Sequence, residues 1–214
     1  MARNVHIPSS EFPYHVCARH INREWFACPL PEVWQVMEEQ LFFIHHAHGV
    51  KIHAFVLMSN HFHLVVSTPE ANLSKAMNHF MATTSRILNF KTDQLNQNYG
   101  TRNYNSLIKS YTHFCNVYKY VYRNPVTAGI VNHVEDYRFS SLSLLLGKMK
   151  CAIPLEEDTL LFGSEGVESV LAWLNRTPDE QNYTDIKRAL RRREFKLPRK
   201  TWKRGPHDLD SSLF

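Results

Sequence analysis

Apolar positions along the chain alternate between the two-residue period of a strand and the 3.6-residue period of a helix. Runs rich in β-branched and aromatic residues predict strands at 14–21, 50–58, 61–67 and 106–109. Helical spacing predicts helices at 31–48, at 72–90 and from about Thr112 onward. The order β-α-β-β-α-β-α is that of an α+β, ferredoxin-like split βαβ antiparallel sheet, with an additional helix available for its other face.

Turn and capping residues support these boundaries. Pro31 and Gly49 bracket the first helix, and Asn72 is a candidate N-cap of the second. Ser59 and Asn60 separate two strand-like runs, which predicts an antiparallel hairpin. The paired histidines discussed next therefore begin the second strand of that hairpin.

The run LMSNHFHLVV, residues 57–66, carries two histidines one residue apart. In a strand, His61 and His63 point to the same face, while Phe62 and its alternate neighbours point to the opposite, apolar face. Two imidazoles held side by side by a stiff strand are a candidate pair of metal ligands. Two histidines on an exposed sheet face would explain the same spacing, so other residues must distinguish the two interpretations.

The predicted helix FCNVYKYVYRNP, residues 114–125, carries three tyrosines at alternate positions. At about 100° per residue, neighbours two apart point in nearly opposite directions, so the three cannot share a role. Tyr118 falls on the apolar stripe, whereas Tyr120 follows Asn116 and precedes Asn124 on a polar stripe. Tyr120 is the candidate nucleophile, with a half-buried structural aromatic as the alternative.

A tyrosine can attack a phosphodiester and hold the product covalently, but an ordinary pKa of about 10 makes it a weak nucleophile. A divalent ion bound by two imidazoles and an amide oxygen would polarise the scissile phosphate. Mg²⁺ or Mn²⁺ accepts such a mixed site, whereas a structural Zn²⁺ would require four protein ligands. We therefore predict Mg²⁺ or Mn²⁺ as the cofactor.

The composition of the 214 residues, 43% of them hydrophobic, is that of a globular protein with a full core. Four cysteines without C-x-x-C spacing predict a reduced protein with no disulfide framework. The N-terminus lacks the apolar core of a signal peptide, and no apolar run approaches the ~18 residues of a membrane span. We expect a soluble, cytoplasmic protein that does not contact membranes.

A basic stretch, residues 187–204, contains ten Lys or Arg and one Glu, and gives the chain its formal net charge of +5. Phosphate contacts and a ring for base stacking predict a nucleic-acid-binding tail that can be removed without disturbing the metal site. A solvated tail that aids solubility is the alternative. The candidate DNA-binding residues of this stretch are Lys187, Arg188, Arg191, Arg192, Arg193, Lys200, Trp202, Lys203 and Arg204.

Base edges are more plausibly read by polar side chains elsewhere. A loop rich in Asn, Gln and Tyr supplies Asn98, Arg102 and Asn103, and the end of the first strand supplies Arg19 and Arg23.

Beyond Gly147 the periodicity of apolar positions weakens. Residues 164–175 predict a short helix, and residues 177–180 match a capping box with proline in the first helical position.

In combination and order, three segments resemble the single-tyrosine HUH transposases, most closely the REP-associated tyrosine transposases. They are YHVCARHINREWF, AFVLMSNHFHLVVSTPEANLSKAMNHF and YKYVYRNPVTAGIV, and VEDYRFSSL resembles the segment that usually follows. The resemblance covers about residues 12–146. We assign residues 1–146 to the catalytic domain and 147–214 to a mostly helical C-terminal extension with the basic tail.

The resemblance implies that His61 and His63 are the HUH metal ligands, that Asn124 is the third ligand and that Tyr120 is the nucleophile. It also implies cleavage of single-stranded DNA at a hairpin, through a 5′-phosphotyrosine link and a free 3′-OH. A regulator that binds hairpin DNA or RNA without cutting, and a replication or mobilisation nuclease with the same chemistry, are the alternatives. The residues leave open whether the protein acts as a monomer or a homodimer.

Overall fold

The computed structural model describes residues 7–95, 98–100, 103–198, 207 and 209. The strands are β1 (Tyr14–Arg19), β2 (Lys51–Leu57), β3 (His61–Ser67) and β4 (Tyr104–Leu107). The helices are α1 (Leu30–His48), α2 (Leu73–Thr92), α3 (Tyr111–Thr127), α4 (Ser141–Leu145), α5 (Val167–Asn175) and α6 (Glu180–Ala189). The predicted order of strands and helices is confirmed.

The four strands form one antiparallel sheet in the order β2-β3-β1-β4. This is the strand order of a split βαβ, ferredoxin-like sheet, so the predicted α+β fold is confirmed. The pairing of β1 with β3 places Cys17 opposite His63 and Arg19 opposite His61. The two central strands therefore bring the paired histidines beside the polar positions of the first strand.

Helices α1 and α2 cover one face of the sheet and form the first core with residues such as Phe62, Leu64 and Phe80. Helix α1 ends at Gly49, whose positive φ of 62° is readily adopted without a side chain. The N-cap prediction for Asn72 is wrong in its chemistry. Asn72 occupies the N-cap position of α2, but its side chain donates to the His48 carbonyl and so ties α2 to the end of α1.

Helix α3 covers the opposite face and builds a second core with residues that follow Gly147. Ser110 caps α3 by accepting from the His113 amide. Leu161, Val170, Leu174 and Phe195, all from the extension, are buried in this second core. The division at residue 146 stays a prediction, and the extension supplies part of the packing around α3.

The basic stretch begins as a packed element, which corrects the prediction of a removable tail. Ala189 and Leu190 of its first part are buried in the second core, together with Ile186 just before it. The segment after α6 then runs along the outer edge of β4, where Leu107 exchanges backbone hydrogen bonds with Arg193 and Phe195. This segment protects an edge strand that would otherwise expose unpaired backbone groups.

The predicted capping box at residues 177–180 is also corrected. The N-cap of α6 is Asp179, whose Oδ1 accepts from the amides of Gln181 and Asn182. The helix begins at Glu180, two residues later than the capping box predicts. A carboxylate that satisfies two free amides at the positive end of a helix outcompetes the threonine at 177.

Within the described part of the chain, no helix combines the length and the apolar character needed to cross a membrane. All four cysteines are free thiols.

Candidate active site

His61 and His63 lie side by side on the face of β3 that meets α3, with ring centroids 4.9 Å apart. The next strand, β1, adds His15 to this face, and the rings of His15 and His63 stack with centroids 5.1 Å apart. Alternation along both strands places these imidazoles together, because Phe62 and Leu64 point into the opposite core. The site is therefore built on the two central strands.

Each of the two predicted ligand histidines has its Nδ1 engaged. His61 Nδ1 lies 2.7 Å from Asn60 Oδ1, and Asn60 is itself held by a hydrogen bond from its Nδ2 to the Arg23 carbonyl. Since a carboxamide oxygen only accepts, His61 carries its proton on Nδ1. This tautomer leaves the Nε2 lone pair of His61 available to a metal ion.

His63 is oriented in a similar way by His15. His63 Nδ1 and His15 Nε2 are 2.9 Å apart in a buried hydrogen bond. His63 Nε2 is buried and has no hydrogen-bond partner among the described residues. If Nδ1 of His63 donates to His15, that buried Nε2 presents a lone pair, which is the arrangement found for metal-bound histidines with an outer hydrogen-bond partner.

Burial keeps all three imidazoles neutral. It lowers the pKa of His15 to about 3 and that of His61 to about 4; repulsion from His61, once that ring is protonated, adds to the first effect and repulsion from Arg19 adds to the second. Burial also lowers the pKa of His63 well below its ordinary value. Neutral imidazole is the form that binds a metal ion, so the site is in its ligating state at neutral pH.

The three tyrosines at alternate positions of α3, Tyr118, Tyr120 and Tyr122, have different surroundings. The Tyr118 hydroxyl donates to Asp158 Oδ2 at 2.6 Å, and the Tyr122 hydroxyl is hydrogen-bonded to Ser141 Oγ at 2.8 Å. The Tyr120 hydroxyl makes no hydrogen bond to any described residue, and its ring lies edge-on to His63 with centroids 5.6 Å apart. Of the three, Tyr120 is the one at the histidine site with an uncommitted oxygen.

The pKa of Tyr120 is raised, first by burial and then by the neighbouring Tyr183 and Cys17. Arg19 and Arg191 act in the opposite direction and favour the phenolate. Because burial dominates, the side chain is a phenol at neutral pH. Attack by its oxygen therefore requires a local positive charge beyond the two arginines.

Asn124 lies one turn after Tyr120, and its side chain compensates for the proline that follows it. Pro125 is inside α3 and has no N–H to donate to the carbonyl of Val121. Asn124 Nδ2 donates to the carbonyl of Tyr120 at 2.8 Å and to that of Val121 at 3.5 Å. The helix therefore continues through Pro125 to Thr127, and the hydrogen bonds of Nδ2 fix the orientation of the amide.

Asn124 also lies beside His63, where it counteracts part of the pKa lowering caused by burial, although no well-formed hydrogen bond reaches His63 Nε2. Within the described residues no group of three or more His, Cys, Asp or Glu side chains is placed to hold a metal ion. A metal site here would thus need another ligand type. The amide oxygen of Asn124 and the Nε2 atoms of His61 and His63 form a suitable donor set for a divalent cation with open positions.

The predicted DNA-contacting residues take different positions. Arg19 is exposed at the end of β1 and close enough to the site to influence His61 and Tyr120. Lys187, Arg188, Arg191, Arg192 and Arg193 are exposed on α6 and the turn after it. Arg102, Lys200, Trp202, Lys203 and Arg204 lie outside the described residues.

The described asparagines of the polar loop make hydrogen bonds within the protein. Asn98 is 4% exposed, and its Nδ2 donates to the carbonyl of Ser85 and to Asn89 Oδ1. The Asn103 side chain bonds to Asn105. Asn98 anchors the loop to α2 and has no free amide for a base edge, so we leave it out of the proposed DNA surface.

Two features near the site were missed from the sequence. His15 sits beside His63 only because β1 and β3 pair in this register, and the polar alternation of His15, Cys17 and Arg19 was the available signal. Trp25 is 76% exposed after two residues of positive φ, Asn22 and Arg23. The hydrogen bond between Asn60 and the Arg23 carbonyl places this segment next to the turn that precedes His61.

Comparison with known proteins agrees with this geometry. A family model described as transposase IS200-like matches residues 9–124, more than half of the chain. Among solved structures, the chain is similar to a REP-associated tyrosine transposase bound to a REP hairpin, with a TM-score of 0.58 and 19% sequence identity. That match covers 78% of this chain and 96% of the other. No curated protein sequence matches the chain.

Proposed function

Because the chain belongs to the IS200-like transposase family, we propose that it cuts and rejoins single-stranded DNA beside a hairpin, with Tyr120 as the nucleophile. The solved relative was bound to a REP hairpin, which supports a folded-back strand as the substrate. The proposed reaction is a transesterification that leaves a 5′-phosphotyrosine and a free 3′-OH.

One observation carries the proposal. Among Tyr118, Tyr120 and Tyr122, only the Tyr120 hydroxyl is uncommitted within the described structure, and its ring contacts those of both His15 and His63. The hydroxyls of Tyr118 and Tyr122 are used in buried hydrogen bonds to other elements. Of these three oxygens, that of Tyr120 is therefore the one left available to attack a phosphate beside the histidines.

In the proposed step, the phenolic oxygen of Tyr120 attacks the phosphorus, and a new oxygen–phosphorus bond forms as the bond to the 3′ oxygen breaks. The phenol loses one proton and the departing 3′ oxygen gains one. The reverse attack by a 3′-OH restores a phosphodiester, because the phosphotyrosine bond conserves the bond energy. Arg19 and Arg191, which favour the charged form of Tyr120, would assist the loss of its proton.

Members of this family are generally metal-dependent. His61, His63 and Asn124 would hold a divalent cation, with Mg²⁺ and Mn²⁺ as the ions best suited to a mixed nitrogen and oxygen site. A bound ion would supply Lewis-acid polarisation of the scissile phosphate. Asn60 and His15 would keep the two imidazoles in the ligating tautomer through their hydrogen bonds.

The proposal is tested by incubating the protein with a single-stranded hairpin oligonucleotide and Mn²⁺, and by detecting a covalent adduct on a denaturing gel. Tyr120→Phe should abolish the adduct and retain hairpin binding, since only the attacking oxygen is lost. Tyr118→Phe is the matched control and should still form the adduct. Its loss of the hydrogen bond to Asp158 should lower stability by about 1–3 kcal/mol.

An adduct formed by Tyr120→Phe would show that another nucleophile acts. Hairpin binding by the wild-type protein without any adduct, across a panel of hairpins and flanking sequences, would favour the alternative of a non-cleaving regulator.

A further inference from the structure

A cavity of about 300 Å³ lies beside Tyr120, between α3 and the segment that joins α5 to α6. It is at the lower end of the size range of ligand sites. The residues that give it its chemistry are three cations and three aromatic rings, namely Lys119, Arg123, Arg176, Tyr120, Trp173 and Tyr183.

The three cations approach the cavity from the end of α5 and from α3. Lys119 Nζ donates to the carbonyl of Trp173, and Arg123 Nη1 donates to the carbonyls of Leu174 and Asn175 at 2.9 and 2.6 Å. These bonds satisfy the C-terminal carbonyls of α5. They also explain why the cations are well placed, since cations stabilise the negative end of a helix.

Among the described residues, no acidic side chain balances the positive charge at this site. A helix C-terminus carries roughly half a negative charge, against three full positive charges here. None of the three cations forms an ion pair with another described residue. Burial lowers the pKa of Lys119 to about 8, and repulsion from Arg123 and Arg176 adds to the effect.

Arg123 is the second indication of a missing anion. It is 5% exposed, and its buried Nε has no hydrogen-bond partner within the described residues. A buried guanidinium normally has its donors filled, because an unpaired buried charge is costly. Asp179, the one carboxylate among the described lining residues, uses Oδ1 to cap α6.

We propose that this cavity binds a backbone phosphate of the DNA strand, adjacent in the chain to the phosphate that Tyr120 attacks. The proposal rests on the proposed function, because Tyr120 lines both the cavity and the histidine site. Lys119 and Arg176 supply the charge, and Arg123 supplies an unfilled donor. The site would hold the strand in register with the nucleophile.

Positive charge also leads out of the cavity along α6. The ring of Tyr183 packs against Tyr120 with centroids 5.4 Å apart, and Lys187 Nζ lies 4.4 Å from the centre of the Tyr183 ring. A strand that leaves Tyr120 would meet an aromatic ring and further exposed cations, Arg188 and Arg191, in succession. This continuity favours a polynucleotide over a free anion.

The test is a scan with hairpin oligonucleotides in which one phosphate at a time is replaced by an uncharged methylphosphonate. Binding is measured with the Tyr120→Phe protein in EDTA, so that the result does not depend on cleavage or metal. One neutralised phosphate next to the cut should weaken binding about fivefold. In Lys119→Gln and in Arg176→Gln, made in the same background, that penalty should fall to within about twofold while other positions are unchanged.

Lys148→Gln is the matched control, because Lys148 Nζ also donates to a backbone carbonyl, that of Glu135, away from the cavity. In the Tyr120→Phe background, Lys148→Gln should leave the binding penalty at each phosphate position unchanged. Arg176 is exposed, so its variant tests the site even if Lys119→Gln fails to fold. If folded Arg176→Gln shows the same position-specific penalty as the parent protein, the proposal is overturned. It is also overturned if inorganic phosphate raises the melting temperature of the parent but not of the cavity variants, while no single phosphate of the DNA shows a penalty; the cavity would then bind free phosphate.

The outcome is separable from that of the proposed function. A wild-type protein that binds the hairpin and shows the predicted scan, but forms no adduct, would contradict cleavage and leave the phosphate site supported. A covalent adduct without a position-specific penalty in the phosphate scan would support cleavage and contradict the phosphate site.

Discussion

At the scale of single residues, the proposed metal site needs the hydrogen bonds that orient its two histidines as well as the histidines themselves. Asn60 and His15 engage the Nδ1 atoms of His61 and His63. Neither partner would bind the metal ion in the proposed site. Their contribution is to select one tautomer and one ring orientation, which outer partners of metal-bound histidines commonly do.

His15→Ala should weaken Mn²⁺ binding by about 10- to 100-fold, because His63 would lose the partner that orients it. His15→Gln should restore part of the affinity, since a carboxamide oxygen can accept from His63 Nδ1. Isothermal titration calorimetry on the DNA-free protein measures both. Equal Mn²⁺ affinity in wild type and His15→Ala, with the fold retained by circular dichroism, would show that His15 does not position the ligand.

At the scale of elements, one turn of α3 contains both a helix-interrupting proline and the proposed third metal ligand. Pro125 removes a backbone donor from the helix, and Asn124 replaces it through its side chain. The same side chain is the proposed third ligand, so its amide is oriented by helix chemistry before any ion binds. A structural requirement and a proposed ligand role therefore coincide at Asn124.

A double-mutant cycle separates these roles. Asn124→Ala should lower the unfolding free energy by about 1 kcal/mol in the wild-type background, because carbonyls of α3 lose a donor. In Pro125→Ala, where a backbone N–H returns, the same change should cost less. Urea denaturation measures both effects. Mn²⁺ affinity should be reduced by Asn124→Ala in either background, and equal losses of stability in both would contradict the compensation by Asn124.

At the scale of the whole molecule, the basic stretch is partly structural and partly available to DNA. Ala189, Leu190 and Phe195 are core residues, whereas Lys187, Arg191 and Arg192 are exposed. Truncation at about residue 183 would remove part of the second core and unfold the protein. Neutralisation of exposed cations is therefore the informative change, because His207 and Leu209, beyond Pro198, also contact Asp185 and Asn116.

Replacing Lys187, Arg191 and Arg192 by Gln should flatten the dependence of log K for hairpin binding on log salt. Each lost phosphate contact on a single strand removes about 0.7 from the slope, so three contacts would remove about 2. Fluorescence anisotropy at several salt concentrations measures the slope. Lys51→Gln, at a residue paired with Glu156, is the control, and equal slopes for all three proteins would place the DNA elsewhere.

The buried histidines also predict how stability depends on pH. The folded-state pKa values of His15 and His61, about 3 and about 4, lie below the value of about 6.5 expected in the unfolded chain. Unfolding therefore takes up protons below about pH 6.5, and stability is complete above that pH and falls as pH decreases. Each buried histidine contributes up to about 1.4 kcal/mol per pH unit toward about pH 4.

Urea denaturation in EDTA at about pH 7.5 and about pH 5 tests this dependence. His15→Gln should lose less stability on acidification than the wild type, because one titrating group is gone. An equal loss in the two proteins would mean that His15 is not held neutral by the fold.

Much of the fold and the candidate site was determined by the sequence alone, because both depend on local periodicity. Alternation placed His61 and His63 on one face of a strand, and the 100° helical step separated Tyr120 from Tyr118 and Tyr122. These relations hold wherever a strand or a helix forms, so they needed no knowledge of neighbouring elements. The strand order followed from the order of the elements and their connections.

Tertiary structure alone decided the rest. The contact of His15 with His63 joins residues 48 apart and depends on the register of β1 against β3. The commitment of Asn98 to α2, the packing of the basic stretch against β4 and the cationic cavity beside Tyr120 likewise join distant segments. No local pattern encodes such contacts, because they arise only when elements that are separate in sequence pack together and exclude water.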